Sequence, residues 1–187
     1  MRAYIDVIDY DQSTGTLREI YDNLIASRGK LAHVHMIQSL NPESIVAHMD
    51  LYLKIMFGKS PLRRYQREMI GVVVSQTNDC AYCVRHHAEA LNFFWKDADR
   101  TEALAQDFRS ADLSATDLAL CSYAESLTAN PNAGDNASRI DALRDGGLSD
   151  RQILDASLVA AYFNFVNRLV LGLGVEVEVD GGGGYRY

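Results

Sequence analysis

Apolar residues recur every three or four positions along most of the chain, the spacing at which side chains share one face of an α-helix. Residues 13–27 show this pattern, and a basic residue followed by Gly29 marks the end of the segment. No alternating strand pattern appears before residue 175. The sequence therefore predicts an all-α protein with about eight to ten helices.

Capping residues predict where several of these helices begin. Asn41-Pro42 and Ser60-Pro61 each place a capping side chain before a proline, and the second predicted helix runs to about residue 75. Ser149 and Gln152 form a capping box. It predicts the start of the longest apolar helix, which extends to about Leu173.

The domain organisation is predicted to be simple. Residues 1–178 are interpreted as a single helical domain, in which residues from 175 onward resemble a short strand. Residues 179–187 contain four consecutive glycines and are predicted to be a flexible tail.

Composition excludes some partners. The chain has 18 basic and 25 acidic residues, and its net charge of −7 argues against nucleic acid or an anionic membrane as a main partner. Its beginning lacks the basic and apolar regions of a signal peptide, and its unbroken apolar runs fall short of the roughly 18 residues of a membrane span. We therefore expect a cytoplasmic protein. Three cysteines do not form a disulfide framework.

Candidate chemistry is concentrated in residues 68–87, EMIGVVVSQTNDCAYCVRHH. Cys80, Cys83 and His87 are spaced to lie on one face of a helix. If Asn78 or Asp79 is the N-cap, Cys80 lies in the first turn, where unpaired N–H groups and the helix dipole lower a thiol pKa. The pattern favours a redox dithiol.

A proton relay is predicted beside the thiols. His87 lies one turn beyond Cys83 and can carry a proton near neutral pH. Glu68 lies in apolar surroundings on the preceding helix, and a buried carboxylate needs a partner. His87 is the expected partner of Glu68. The predicted relay then runs from the Glu68 carboxylate through the His87 base to the cysteine nucleophile.

Less specific interpretations of these residues remain open. Cys80 and Cys83 could be inert core residues, or could bind zinc with His87. Cys121 is interpreted as a core residue and His86 as a solvated neighbour. The other histidines (His33, His35 and His48) are interpreted as structural or surface residues.

Asn164, Asn167 and Arg168 lie at positions i, i+3 and i+4 of the most apolar predicted helix. Polar groups in such a helix must find partners. These three residues are therefore expected either to form a hydrogen-bond network between helices or subunits, or to line the active-site pocket.

The motif resembles the alkylhydroperoxidase AhpD-like family, whose superfamily includes the carboxymuconolactone decarboxylases. The resemblance rests on Glu68, eleven intervening residues, Cys-x-x-Cys, three residues and His87, and on the flanking segments SQTNDCAYCVRHH and NFVNRL. The flanks resemble the peroxidase-related branch. The resemblance implies an all-helical AhpD-like bundle, a homo-oligomer of trimer or hexamer type, and thiol-dependent reduction of a small peroxide.

By position, the resemblance implies roles for individual residues. Cys83 would attack the peroxide after deprotonation through His87 and Glu68, and Cys80 would resolve the product and accept electrons. The expected reductant is an external dithiol or protein, with no metal, haem or flavin. Tyr82 stands where well-known members have a histidine, and is included as a possible pocket residue.

Two other functions remain open from the sequence. One is a lyase or isomerase of the decarboxylase type, although members of that type often lack the CxxC pair. The other is a redox sensor or oligomeric scaffold that forms the disulfide without substantial turnover.

Overall fold

The computed structural model describes residues 1–179, and in this range the chain forms nine α-helices and no strand. The all-α prediction is confirmed. Two short 3₁₀ helices lie at Tyr10–Gln12 and Phe108–Ser110. The α-helices are α1 (Gly15–Arg28), α2 (His33–Met36), α3 (Pro42–Met56), α4 (Arg64–Thr77), α5 (Ala81–Trp95), α6 (Ala98–Gln106), α7 (Ala115–Ala129), α8 (Asn136–Asp145) and α9 (Asp150–Leu173).

Helix α4 is the centre of the bundle. It packs against α3, α5, α6, α7 and α9, and every residue from Gln66 to Ser75 is buried. A helix surrounded in this way has no polar face, so each of its polar side chains needs a partner inside the protein. The Gln66 amide donates to the Asp117 carboxylate on α7 at 2.8 Å.

Arg67 on α4 fixes the connection between α3 and α4. Its buried guanidinium donates to the backbone carbonyl oxygens of Met56, Gly58 and Leu62, at 2.9–3.1 Å. These bonds satisfy one carbonyl at the end of α3 and two in the loop that follows it, none of which has a helical partner. They hold residues 57–63 in an irregular loop, so the helix predicted from Ser60-Pro61 begins later, at Arg64.

Helix α9 lies across α4 and has the predicted capping box at Ser149 and Gln152. Of the helices in residues 1–179, α9 alone has the length and composition of a membrane span, with mean hydropathy of 1.4 over 18 residues. Inside the protein, 44% of that window is buried. The core helix of a helical bundle has the same profile.

The chain after α9 differs from the prediction. Gly174 ends the helix in the left-handed conformation, and residues 175–179 are irregular rather than a strand. Val175 and Glu178 are buried, so this segment packs onto the bundle. Of the predicted tail, residues 180–187 lie outside the described residues.

We predict that Gly71→Ala destabilises the protein by about 1–3 kcal/mol, less any gain in helix propensity. A Cβ atom at Gly71 would lie 2.7 Å from Cε2 of Phe163, whose side chain is fully buried and cannot move aside. Urea denaturation monitored by circular dichroism measures the change in the free energy of unfolding.

The matched control is Gly172→Ala on α9, where a Cβ atom would meet nothing within 4 Å. It should be neutral or stabilising by up to about 1 kcal/mol. Equal effects of the two substitutions would contradict the proposed close contact between α4 and α9.

Candidate functional site

The two cysteines of the motif lie at the corner between α4 and α5. Asn78 follows α4, and Asp79 has a left-handed backbone with φ of 56°. Cys80 is then the N-cap residue of α5, so the predicted capping by Asn78 or Asp79 is wrong. The Asn78 amide instead donates to Asn167 on α9 at 2.9 Å.

The Cys80 and Cys83 sulfurs lie 2.7 Å apart, and both thiols are free and buried. A hydrogen bond from the Cys83 thiol lowers the pKa of Cys80, against the opposing effect of burial. The same hydrogen bond and burial raise the pKa of Cys83. Cys80 is therefore the more readily ionised sulfur of the two, and Cys83 the less readily ionised.

Glu68 and His87 meet as the sequence predicts. His87 Nδ1 lies 2.7 Å from Oε2 of Glu68, and the Arg64 guanidinium contacts the other carboxylate oxygen. Glu68 is fully buried, which raises a carboxyl pKa, but His87 and Arg64 outweigh burial and leave the pKa of Glu68 lowered. In the neutral form of the His87 ring, an ionised Glu68 would hold the proton on Nδ1 and leave Nε2 as a base.

His87 and Cys83 line the same cavity, which lies between α5, α9 and the region of α1 to α3. The cavity contains about 640 Å³ of space between side chains, its open mouth included. The His87 ring packs edge-on against Phe163, with 4.3 Å between ring centroids. A hydrogen bond from the Asn167 amide also acts to lower the pKa of Cys83, although burial and Cys80 outweigh it.

Cys80 lines a different cleft from Cys83. This second cleft is bounded by residues 2–4, 79–82 and 170–177. Tyr82 lines both spaces and lies between them. Each of the two cysteines therefore borders a different space.

Tyr82 belongs to a polar cluster that the sequence did not predict. Its hydroxyl donates to Oε1 of Glu178 at 2.8 Å, and the other carboxylate oxygen of Glu178 lies 3.0 Å from Nε2 of His86. The backbone N–H of His33 also donates to Glu178, at 2.9 Å. His86 is therefore held against Glu178 and lines the Cys83 cavity, so its interpretation as a solvated neighbour is wrong.

Asn164 and Arg168 line neither the Cys83 cavity nor the Cys80 cleft. Asn164 accepts from Asn78 and donates to Thr128, and the Arg168 guanidinium donates to Asn164 at 2.7 Å. These two residues form the predicted network between helices rather than a pocket. Of the three predicted polar residues of α9, only Asn167 reaches a cysteine.

The cavity also contains residues that the sequence analysis missed or interpreted as structural. His48 bonds through Nε2 to the Tyr162 hydroxyl at 2.7 Å and through Nδ1 to Gln38 at 2.8 Å. His35 lines the cavity beside it, with 5.7 Å between the two ring centroids. The sequence offered one sign that His48 lies inside the protein: it shares a helical face with apolar residues at positions 45, 49 and 52.

Cys121 is buried in α7 as predicted, and burial raises its pKa. Within residues 1–179, no group of three or more His, Cys, Asp or Glu side chains is arranged to hold a metal ion. The proposed zinc ligands Cys80, Cys83 and His87 therefore do not form such a group.

The chain combines an all-helical fold with a pair of close thiols at the corner between α4 and α5. Residues 42–106 match the model of the carboxymuconolactone decarboxylase family. An uncharacterised peroxidase-related protein from Silicibacter sp. is 26% identical, with a TM-score of 0.85 over 98% of this chain and 96% of its own. The fold of the chain is therefore that of AhpD-like proteins, and its central segment resembles the carboxymuconolactone decarboxylases.

Two further solved structures share the fold. A peroxidase-related protein from Ralstonia eutropha, described as having an alkylhydroperoxidase AhpD core, is 22% identical, with a TM-score of 0.85 over 96% of this chain and 94% of its own. A cysteine-to-alanine variant of the debrominase Bmp8, in complex with 2,3,4-tribromopyrrole, is 17% identical. Its TM-score is 0.78 over 96% of this chain and 94% of its own. No curated protein is significantly similar in sequence.

We predict that Glu178→Gln destabilises the protein by about 1–2 kcal/mol at pH 7, because it weakens charge-assisted hydrogen bonds. Burial raises the pKa of Glu178, but hydrogen bonds from His86 and the His33 backbone outweigh it and lower that pKa. A lowered carboxyl pKa stabilises the fold above the unfolded value of about 4.3. The stability difference between wild type and variant should therefore shrink as pH falls below that value.

Chemical denaturation at several pH values measures this difference. Glu176→Gln is the matched control, since Glu176 is exposed and only its backbone carbonyl contacts His33. A pH-independent difference, or an equal loss in both variants, would contradict the assigned role of the Glu178 carboxylate.

Proposed function

We propose that this protein is a thiol-dependent oxidoreductase that reduces a small peroxide at Cys83. One observation carries the proposal: Cys83 shares a cavity with the Glu68–His87 pair, and its sulfur lies 2.7 Å from Cys80. A nucleophile, an oriented base and a second thiol at this distance are the groups that peroxide reduction by a dithiol requires. The fold relationship to peroxidase-related proteins supports the same reaction class.

In the first step, His87 removes the proton of the Cys83 thiol. The raised pKa of Cys83 explains why this sulfur needs a base. The thiolate attacks the terminal oxygen of the peroxide, the O–O bond breaks, and the departing alkoxide takes the proton from His87. The products are an alcohol and a sulfenic acid on Cys83.

In the second step, the Cys80 sulfur attacks the Cys83 sulfenic acid. A disulfide forms, and the hydroxide that leaves takes the Cys80 proton and departs as water. An external dithiol then restores both thiols by exchange, entering through the cleft that Cys80 lines. This cycle needs no metal, haem or flavin, and we place it in a reducing cytosol.

Tyr82 and His86 have a supporting role in this proposal. Tyr82 is a poor base near neutral pH, and its hydroxyl is bonded to Glu178. The Glu178 carboxylate places the His86 ring against that of Tyr82, with 4.4 Å between centroids. Members of the resembled family have a histidine where this chain has Tyr82. We propose that His86 takes over the role of that histidine and acts as a second proton donor beside the cavity.

Trapping of the sulfenic acid tests the roles of the two cysteines. Cys80→Ser should form a stable sulfenic acid on Cys83 with one equivalent of cumene hydroperoxide, detected by dimedone labelling and intact mass. Cys83→Ser should lose peroxide consumption by at least about a hundredfold, because Cys80 borders the other cleft and not the cavity that His87 lines. Cys121→Ser is the matched control and should behave as wild type.

The opposite labelling pattern would assign the attack to Cys80, whose pKa is lowered in the resting pair. A wild type that forms the disulfide but consumes peroxide only once, even with excess dithiothreitol, would favour the redox-sensor alternative. A wild type that shows no mass change over a wide range of peroxide doses would exclude the dithiol mechanism.

Reductive debromination is a second candidate function. It is favoured by the aromatic lining of the Cys83 cavity and by the shared fold with the debrominase. The balanced reaction turns an aryl bromide and two thiols into the arene, bromide, a proton and the disulfide. Release of bromide from 2,3,4-tribromopyrrole, dependent on Cys83, would support it. The lyase alternative uses no thiol pair and leaves this dithiol without a role.

We also propose that the protein assembles into a homo-oligomer of trimer or hexamer type. Leu154, Leu158 and Phe165 form an apolar stripe on α9, and each is 43–54% exposed. Leu158 and the exposed Leu51 of α3 also line a shared surface groove. An exposed apolar stripe of this kind is typical of a subunit interface.

Light scattering after size-exclusion chromatography tests the assembly. Leu158→Glu should shift the protein to a smaller species, because a charge in an apolar interface is costly to bury. Leu40→Glu, at a position that is 58% exposed and outside the stripe, should leave the mass unchanged. A monomeric wild type would exclude the proposal.

A further inference from the structure

The cavity beside Cys83 has an aromatic wall that continues away from the dithiol. From His87, ring contacts pass to Phe163, then Tyr162, then His48, with successive centroids 4.3, 5.2 and 5.6 Å apart. Tyr52 packs beside Tyr162 at 5.7 Å. Such a wall is suited to a flat apolar body, and hydrogen peroxide alone would leave it unused.

The guanidinium of Arg28 borders this cavity and has no carboxylate partner within residues 1–179. Arg28 lines the cavity, and its guanidinium lies 5.5 Å from the ring centroid of Tyr52. The two buried carboxylates of the region already have partners, since Glu68 contacts Arg64 and His87, and Glu178 contacts His86. The positive charge of Arg28 is therefore not neutralised within the described part of the site.

A polar atom near Arg28 also lacks a partner. Within residues 1–179, His35 Nδ1 is buried and makes no hydrogen bond, whereas both ring nitrogens of His48 are bonded. Burial, His48 and Arg28 together lower the pKa of His35 to about 3, so its ring is neutral at pH 7. A neutral ring can present an Nδ1–H donor to an acceptor in the cavity.

We infer that the cavity binds hydroperoxides with an apolar, flat body and a carboxylate, with the carboxylate on Arg28 and His35 and the body against Tyr52, Tyr162 and Phe163. Arginine binds carboxylates with two parallel hydrogen bonds, and a buried donor without a partner gains most from an acceptor. The inference rests on the proposed function for the peroxide group. The carboxylate site itself can be tested without any peroxide chemistry.

Isothermal titration calorimetry of the full chain with two inert probes tests the site. The probes are 4-isopropylbenzoate and 4-isopropylbenzyl alcohol, which share one body and differ in the carboxylate. Wild type should bind the acid at least about tenfold more tightly than the alcohol. Equal affinity in wild type overturns the inference, and this comparison needs no variant.

Variants then assign the preference to particular side chains. Arg28→Gln should abolish the preference for the acid while leaving alcohol binding unchanged, and Arg28→Lys should retain part of it. His35→Phe should weaken binding of the acid more than that of the alcohol. Arg85→Gln is the control, because Arg85 is exposed on α5 outside the cavity. A preference that survives Arg28→Gln overturns the inference.

Peroxide kinetics separate this inference from the proposed function. If cumene hydroperoxide and its 4-carboxy derivative are both reduced, the derivative should have the lower KM, and Arg28→Gln should raise that KM without lowering kcat. Reduction of both with equal KM overturns the carboxylate site and leaves the peroxidase intact. Carboxylate binding that depends on Arg28, with no peroxide reduction, supports the site and removes the peroxide step.

Discussion

The arrangement of this protein depends on the buried carboxylate of Glu68. A charge on the central helix of a bundle costs several kcal/mol unless it is paired, and Glu68 is contacted by Arg64 on its own helix and by His87 on the next. The second contact fixes how α5 lies on α4. The requirement to satisfy one buried charge therefore also sets the position and the tautomer of the candidate base.

The sharp corner between α4 and α5 gives the two thiols different surroundings. The left-handed Asp79 ends one helix and makes Cys80 the N-cap of the next, so the two sulfurs meet although their residues border separate spaces. Cys83 shares the aromatic cavity with His87, and Cys80 borders the cleft near the two ends of the described chain. This separation lets substrate and reductant reach one dithiol from opposite sides in the proposed cycle.

The segment after α9 completes the site. Glu178 returns to α5 and bonds to Tyr82, His86 and the backbone of His33. A tyrosine is a poor base near neutral pH. In this protein the Tyr82 hydroxyl bonds to the Glu178 carboxylate, which also bonds to the neighbouring His86.

The sequence by itself determined the helical class, most helix limits, the dithiol and the pairing of Glu68 with His87. These features depend on local periodicity, on capping and on the cost of burying one carboxylate, all of which can be read within about twenty residues. The tertiary structure alone decided the contacts of Glu178 with His86 and Tyr82 on α5, and the cavity formed by Arg28, His35, His48 and Tyr162. These residues are up to about 150 positions apart, and their partners follow from how the helices pack rather than from any local pattern.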